Sequence, residues 1–181
     1  ELEMAADKGL AVFIEKPVSL DMSKAIAGNA IVEKAGIITQ VGFLSRYEPA
    51  ALPARELLHE RTLRHANLLQ IRNGQPLRYW TSRYDLSGGS FVENTIHRID
   101  LLRYLVDDDI EDVSAFYMPR RPSEGPEPMD LPHVYNVNYR FASGITANAT
   151  VSRVQYESGI GKSDLLVVSD EHLLEYYPDR L

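Results

Sequence analysis

The sequence predicts an α+β fold, in which the remnant of a parallel sheet is joined to a predominantly antiparallel, open-faced sheet with helices on one side. Three observations predict it. Up to about residue 61, short apolar runs alternate with helical segments, and strand–helix–strand–helix order is that of a parallel sheet. Beyond that point β-rich stretches follow one another with turn residues between them, which favours antiparallel neighbours. One amphipathic segment, residues 86–106, interrupts the second series.

The elements follow in order. "ELEMAADKGL" reads as the end of a helix stopped by Gly9. "AVFIE" is a short apolar run, expected as a buried strand closed by Lys16-Pro17. "SLDMSKAIAGNAIVEKAG" carries an N-cap signal at Ser19 or Asp21, helical spacing through Met22, Ile26, Ile31 and Val32, and a stop at Gly36. "IITQVGF" is a second strand of the same buried kind, and "EPAALPARELLHER" a helix with Pro49 in its first turn. "LRHANLLQIRNG" begins the second series of strands. "EDVSAFYMP", "HVYNVNYRFASG", "ITANATVSRVQYE" and "SDLLVVSDEH" follow, with turns at Ser143-Gly144 and Ser158-Gly159. "PRRPSEGPEPMDLP" is expected to be a long surface loop.

Composition narrows the function. The chain has 181 residues, 44% of them hydrophobic and 25% charged, enough apolar material for a real core. Net charge is −7 and no basic block occurs, which argues against nucleic acid or an anionic membrane as the main partner. Without cysteine, disulfides, thiolate zinc sites and cysteine nucleophiles are excluded. No apolar run approaches the length of a membrane helix and no secretory signal opens the chain, so a cytoplasmic protein is expected. The dinucleotide fingerprint G-x-G-x-x-G is absent, and "SGIGKS" lacks the first glycine of a phosphate loop.

Two constellations carry chemistry. On an ideal helix Glu93, His97, Asp100 and Tyr104 fall within an arc of about 60°. Glu93 and His97 are four residues apart, close enough for a carboxylate to orient an imidazole that titrates near neutrality. That pair suits general acid–base work; the alternative is an ordinary solvated polar face, and a metal site of Glu93, His97 and Asp100 is a third reading. The second constellation is "VFIEKPVS". Lys16 follows a strand at the edge where open α/β sheets bind ligands, and Pro17 holds it extended. Its ammonium can donate to a substrate hydroxyl or carbonyl.

"EKP" after a short strand, then "VGFLSRYEPA" and "SGGSFVENTIHRIDLLRYLV", in that order, resembles the Gfo/Idh/MocA oxidoreductases (glucose–fructose oxidoreductase, inositol dehydrogenase and relatives) over nearly the whole chain. The resemblance implies residues 1–47 as the C-terminal part of a dinucleotide-binding Rossmann domain. Residues 48–181 would be a substrate-binding and oligomerisation domain. It implies hydride transfer between a sugar or polyol and NAD or NADP, the cofactor being held mainly by residues absent from this chain. Lys16, His97 and Glu93 would be catalytic, and Asp100, Arg83, Tyr84 and Trp80 would meet substrate. Glu15, Lys16, Pro17 and Arg46 would lie on the cofactor side. No metal is implied, and a homodimer or homotetramer would form through the open sheet face. This chain alone is expected to be inactive. Three positions depart from the family pattern: Ser87 stands for its first glycine, Glu93 for an aspartate and Thr95 for a glycine, so that Thr95 fills space the family leaves open. The rival reading is a non-catalytic binding or assembly domain using the open sheet. A metal-dependent hydrolase or isomerase is the weaker alternative. All of the dehydrogenase reading requires Lys16 and His97 to share one hollow.

Overall fold

The computed structural model describes residues 1–73, 78–120, 131–132, 134–155 and 161–178. The proline-rich segment expected as a loop, apart from its ends, and the Ser158-Gly159 turn lie outside these residues. The chain forms two compact units, Glu1–Phe43 and Leu44–Leu181, each described by itself.

The first unit runs α1 (Leu2–Asp7), β1 (Val12–Ile14), α2 (Met22–Ala35), β2 (Thr39–Val41). The strands pair in parallel, Phe13 opposite Gln40. Gly9 takes φ +64 just past α1, a left-handed geometry that glycine adopts without a Cβ penalty. Asp21 caps α2: its Oδ1 accepts from the Ser23 backbone N–H at 2.9 Å and that of Lys24 at 3.4 Å. The Ser23 hydroxyl, which donates to the same oxygen, and these two N–H groups hold its carboxyl below the ordinary range. The strands are not buried as their apolar content suggests, since Phe13 is 66% exposed and Ile38 78%. A two-stranded sheet with its helices covers only part of two faces, and the rest of the apolar surface stays outward.

The second unit opens with a 3₁₀ turn (Leu44–Tyr47) and continues with α3 (Ala51–His59) and β3 (Leu63–Asn73). A second 3₁₀ turn (Trp80–Ser82), the single helical turn α4 (Tyr84–Ser87) and a wide π-type turn (Phe91–Thr95) lead into α5 (Ile96–Val106). Five strands follow: β4 (Ile110–Met118), β5 (Val134–Phe141), β6 (Thr146–Gln155), β7 (Lys162–Ser169) and β8 (Leu173–Tyr176). Pro49 lies before α3 and not within it; Pro53 occupies the first turn, where an N–H has no intrahelical acceptor.

The six strands form one sheet in the order β4-β5-β6-β3-β7-β8. Every pairing is antiparallel except β3 with β6, which run parallel with Leu68 opposite Ala149. One face is covered by α3 and α5. Ala66, Leu68, Val137, Phe141, Ala147, Ala149, Leu165 and Val167 point into it, against Ala51, Ala54, Leu58, Leu101, Leu102 and Leu105. Alanines on both sides let the helices approach the sheet closely. The other face is open. It carries a hydrogen-bonded ladder in which Asn148 donates to Asn138 at 2.7 Å and Asn136 to Thr150 at 2.9 Å. Among the described residues no helix is long and apolar enough to cross a membrane.

Candidate active site

The 86–106 segment is not the single straight helix that its periodicity predicts. It breaks at Gly88 and Gly89, both left-handed at φ +70 and +85, and resumes through the wide turn before α5. A larger residue at Gly89 would be strained: a Cβ there would stand 2.5 Å from the Tyr135 hydroxyl and 3.3 Å from the Tyr84 ring. The backbone is thereby pressed against the end of β5, and Phe91 packs on Tyr135 with ring centroids 5.5 Å apart. A wide turn advances less than 100° per residue, so the arc computed for an ideal helix does not place Glu93.

Nor is the polar side of this segment a wet face. Asp100 is only 6% exposed and takes a bidentate pair from Arg46, Nε at 2.7 Å and Nη2 at 2.6 Å. The structure therefore joins two residues expected on different ligands, and each is held by the other. The Arg46 guanidinium also stacks 5.3 Å above the Tyr104 ring, and its pKa is raised chiefly by the hydrogen bonds to Asp100. Arg98, the residue after His97, donates to Glu48 at 2.9 Å. Glu48 accepts from Tyr176 at 2.8 Å and Ser45 at 3.0 Å as well, which ties α5 to the loop before α3 and to β8. Glu93 and His97 are half-buried, with the His97 Nδ1 turned from solvent. Among the described residues no three His, Asp or Glu side chains converge to hold a metal ion, which removes the support for Glu93, His97 and Asp100 as a ligand set.

Thr95 does fill space against the sheet. It is buried, and its hydroxyl meets the Gln70 amide at 2.6 Å. The neighbours fix the amide's orientation: with its nitrogen donating to Thr95 Oγ1, its oxygen accepts from Arg72 Nε at 3.1 Å and Nη2 at 3.2 Å. Arg72 on β3 lies beside Arg153 on β6, next to the register shift between Ile71 and Asn73. Loss of hydration lowers both guanidiniums, Arg98 further lowers Arg72, and Glu93 acts on both in the opposite sense. The sequence reading missed this group. Its signal is partly present: Ala147, Ala149, Val151, Arg153 is an inward series that ends in a buried charge where alternation calls for hydrocarbon, whereas the series Ala66, Leu68, Gln70 runs out to an exposed Arg72.

Of the other expected substrate contacts, Trp80 and Tyr84 are exposed, while Arg83 pairs with Asp85 at 3.4 Å. Lys16 lies in the first unit, at the end of β1 where the chain turns through a cis Lys16-Pro17 bond. The Glu15 carboxylate stands near Gly42, where an added Cβ would come within 3.4 Å of Oε2.

The comparisons agree with this architecture. The model of the GFO/IDH/MocA C-terminal domain matches residues 52–168. The chain is 30% identical over 115 residues to scyllo-inositol 2-dehydrogenase (NAD(+)) of Bacillus subtilis (strain 168), covering 61% of this chain and 32% of that protein. It is also 30% identical over 189 residues to inositol 2-dehydrogenase/D-chiro-inositol 3-dehydrogenase of Lactiplantibacillus plantarum, covering 97% of this chain and 49% of the relative. In fold it is similar to the aldose-aldose oxidoreductase of Caulobacter crescentus complexed with glycerol, at TM-score 0.81 and 22% identity over 99% of this chain and 53% of that one. The chain thus spans between a third and a half of the curated relatives' length. It belongs to the GFO/IDH/MocA family of oxidoreductases, and residues 52–168 are its C-terminal domain.

Proposed function

We propose that this chain is the substrate-side portion of an NAD(P)-dependent dehydrogenase that oxidises a secondary hydroxyl of a sugar or polyol. The observation that carries the reading is the half-buried Glu93–His97 pair at the entry to α5 in a chain of this family. In this reading residues 1–47 end a larger parallel dinucleotide-binding sheet, which accounts for the apolar surface of β1 and α2, and residues 48–181 bind substrate. The parallel pair fits a nucleotide at its C-terminal edge, where Glu15, Lys16 and Pro17 would hold the nicotinamide end. When bound, the nicotinamide supplies the hydride acceptor.

The chain's own residues do the remaining work. The His97 imidazole takes the hydroxyl proton as the C–H bond gives up its hydride and the C=O bond forms. Glu93 orients that imidazole, and Lys16 stabilises charge on the oxygen. Trp80 and Tyr84 offer exposed aromatic faces to the sugar ring. Asp100 and Arg46 act through each other, holding α5 in position. A homodimer or homotetramer through the open sheet face belongs to the same reading, and the exposed Phe116 supports it.

His97→Ala in the intact protein is expected to lower kcat about 10²- to 10⁴-fold with NAD(P)H binding unchanged. Turnover of inositols and aldoses at the wild-type rate would remove His97 from the chemistry. Failure of the intact protein to bind NAD(P)H by fluorescence would leave the non-catalytic assembly domain as the better reading.

A further inference from the structure

Thr95 and Gln70 put a polar pair where the packing calls for hydrocarbon. Both are 1% exposed. Gln70 continues the buried row of Ala66 and Leu68 on β3 and lies opposite buried Val151 on β6. Valine at 95 and leucine at 70 would fill much the same space, and replacing both partners of a buried hydrogen bond by apolar groups of like shape is close to neutral for stability. The pair therefore adds little stability that packing alone would not supply. What it adds is direction. The Gln70 nitrogen donates to Thr95 Oγ1 at 2.6 Å, while its oxygen accepts from Arg72 Nε at 3.1 Å and Nη2 at 3.2 Å. Arg72 is exposed and anchors the amide from the wet side. A satisfied hydrogen bond in a dry setting holds two groups at one distance and angle, whereas hydrocarbon surfaces can slide.

The place of the pair gives that direction a use. Thr95 ends the wide turn Phe91–Thr95 and opens α5. The other end of the turn is held by Gly89 against the Tyr135 hydroxyl and by Phe91 on the Tyr135 ring, 5.5 Å between centroids. Glu93 stands between these two anchors, and His97 follows two residues after the second. Turns of this π type are rare and gather at functional sites. We propose that Thr95 and Gln70 are positioning residues for the dehydrogenase reaction: their hydrogen bond clamps the wide turn to β3 and so sets where Glu93 and His97 stand. The proposal deepens the dehydrogenase reading and rests on it. Both side chains are too deeply buried to meet substrate, so they act through the two residues they place.

Variants of the intact protein test this. Thr95→Val combined with Gln70→Leu should melt within about 5 °C of the wild type, because no buried polar atom of the pair is left unmet. Its kcat on inositols or aldoses should nevertheless fall about tenfold or more, with KM and NAD(P)H affinity within about twofold, as when catalytic groups are displaced and binding is kept. Thr95→Ser, which keeps the hydroxyl, should retain most of the rate, and Thr95→Ala should lose it; this comparison decides the matter should the double variant fail to fold. A folded double variant with wild-type kcat, or equal rates in Thr95→Ser and Thr95→Ala, would overturn the proposal. Hydrogen exchange supplies a readout that needs no turnover. Amides of residues 91–97 should exchange about tenfold faster in the double variant, or in Thr95→Ala than in Thr95→Ser, while β5 and β6 exchange as before. Unchanged exchange there would also overturn it. A turn that loosens in a protein that never reduces NAD(P)+ keeps the clamp and loses the dehydrogenase. Polyol oxidation at one rate in every variant does the reverse.

Discussion

Tyr139 places a phenol where the core offers it nothing. The residue is 6% exposed, and among the described residues its hydroxyl has no hydrogen-bond partner. An unmet buried hydroxyl costs about 1–3 kcal/mol, so Tyr139→Phe is expected to stabilise the fold by about 1 kcal/mol in urea denaturation. Loss of hydration raises the Tyr139 phenol well above its ordinary 10.0. The unfolded chain therefore releases this proton first, and as pH rises above about 10 stability drains at up to about 1.4 kcal/mol per pH unit for such a group. Tyr139→Phe should flatten that decline between pH 9 and 11, while a substitution at exposed Tyr117 should leave the slope intact. A Tyr139→Phe protein less stable than the wild type at neutral pH would show that the hydroxyl has a partner in solution. Asp100 makes the complementary case: a carboxylate at 6% exposure is tolerable because Arg46 meets both of its oxygens.

At the level of elements, the turn between α4 and α5 decides where Glu93 stands. Gly89→Ala adds two separable costs there, a left-handed φ of +85 and a Cβ 2.5 Å from the Tyr135 hydroxyl. A loss of about 2–3 kcal/mol is expected for the single substitution. Tyr135→Phe in the same chain should recover only the steric part, leaving about 1 kcal/mol for the backbone. Full recovery in that double variant, measured as a thermodynamic cycle, would mean φ is unstrained. This turn also marks the limit of what was legible in advance. The period-2 stretches located β3 to β7, and Gly9, Gly36 and Gly144 marked ends and turns because a left-handed residue has few chemical solutions. The wide turn was invisible because periodicity arithmetic assumes 3.6 residues per turn. β8 escaped because four residues at a sheet edge carry too little alternation. Asp100 read as a substrate contact because its protein partner, Arg46, lies 54 positions away in the chain, beyond any local pattern.

Over the whole molecule the imbalance lies in the sheet, which has two faces but helices on only one. β4 forms one edge, and Val113, Phe116, Tyr117 and Met118 are all exposed along it. Phe116 sits opposite Asn136, on the face away from the helices, beside the asparagine ladder. Partly exposed Leu69, Ile71, Leu166 and Val168 extend that face across β3 and β7. A water-exposed sheet would be expected to carry charge at these places, and an edge strand would be blunted by lysine or proline. The mixture here of amide ladder and large hydrocarbon suits a second protein surface, with the asparagines fixing register and the apolar groups supplying the drive. A second copy laid on it must cover roughly 1,200 Å² or more to be stable. Sedimentation equilibrium of the intact protein should then show a dimer or tetramer, and Phe116→Glu, which buries a charge in that contact, should shift the population toward monomer about a hundredfold in dissociation constant. His97→Ala should leave the assembly unchanged, because the imidazole belongs to α5 on the opposite side of the sheet. A wild-type protein that stays monomeric at high micromolar concentration would show that this face meets water after all.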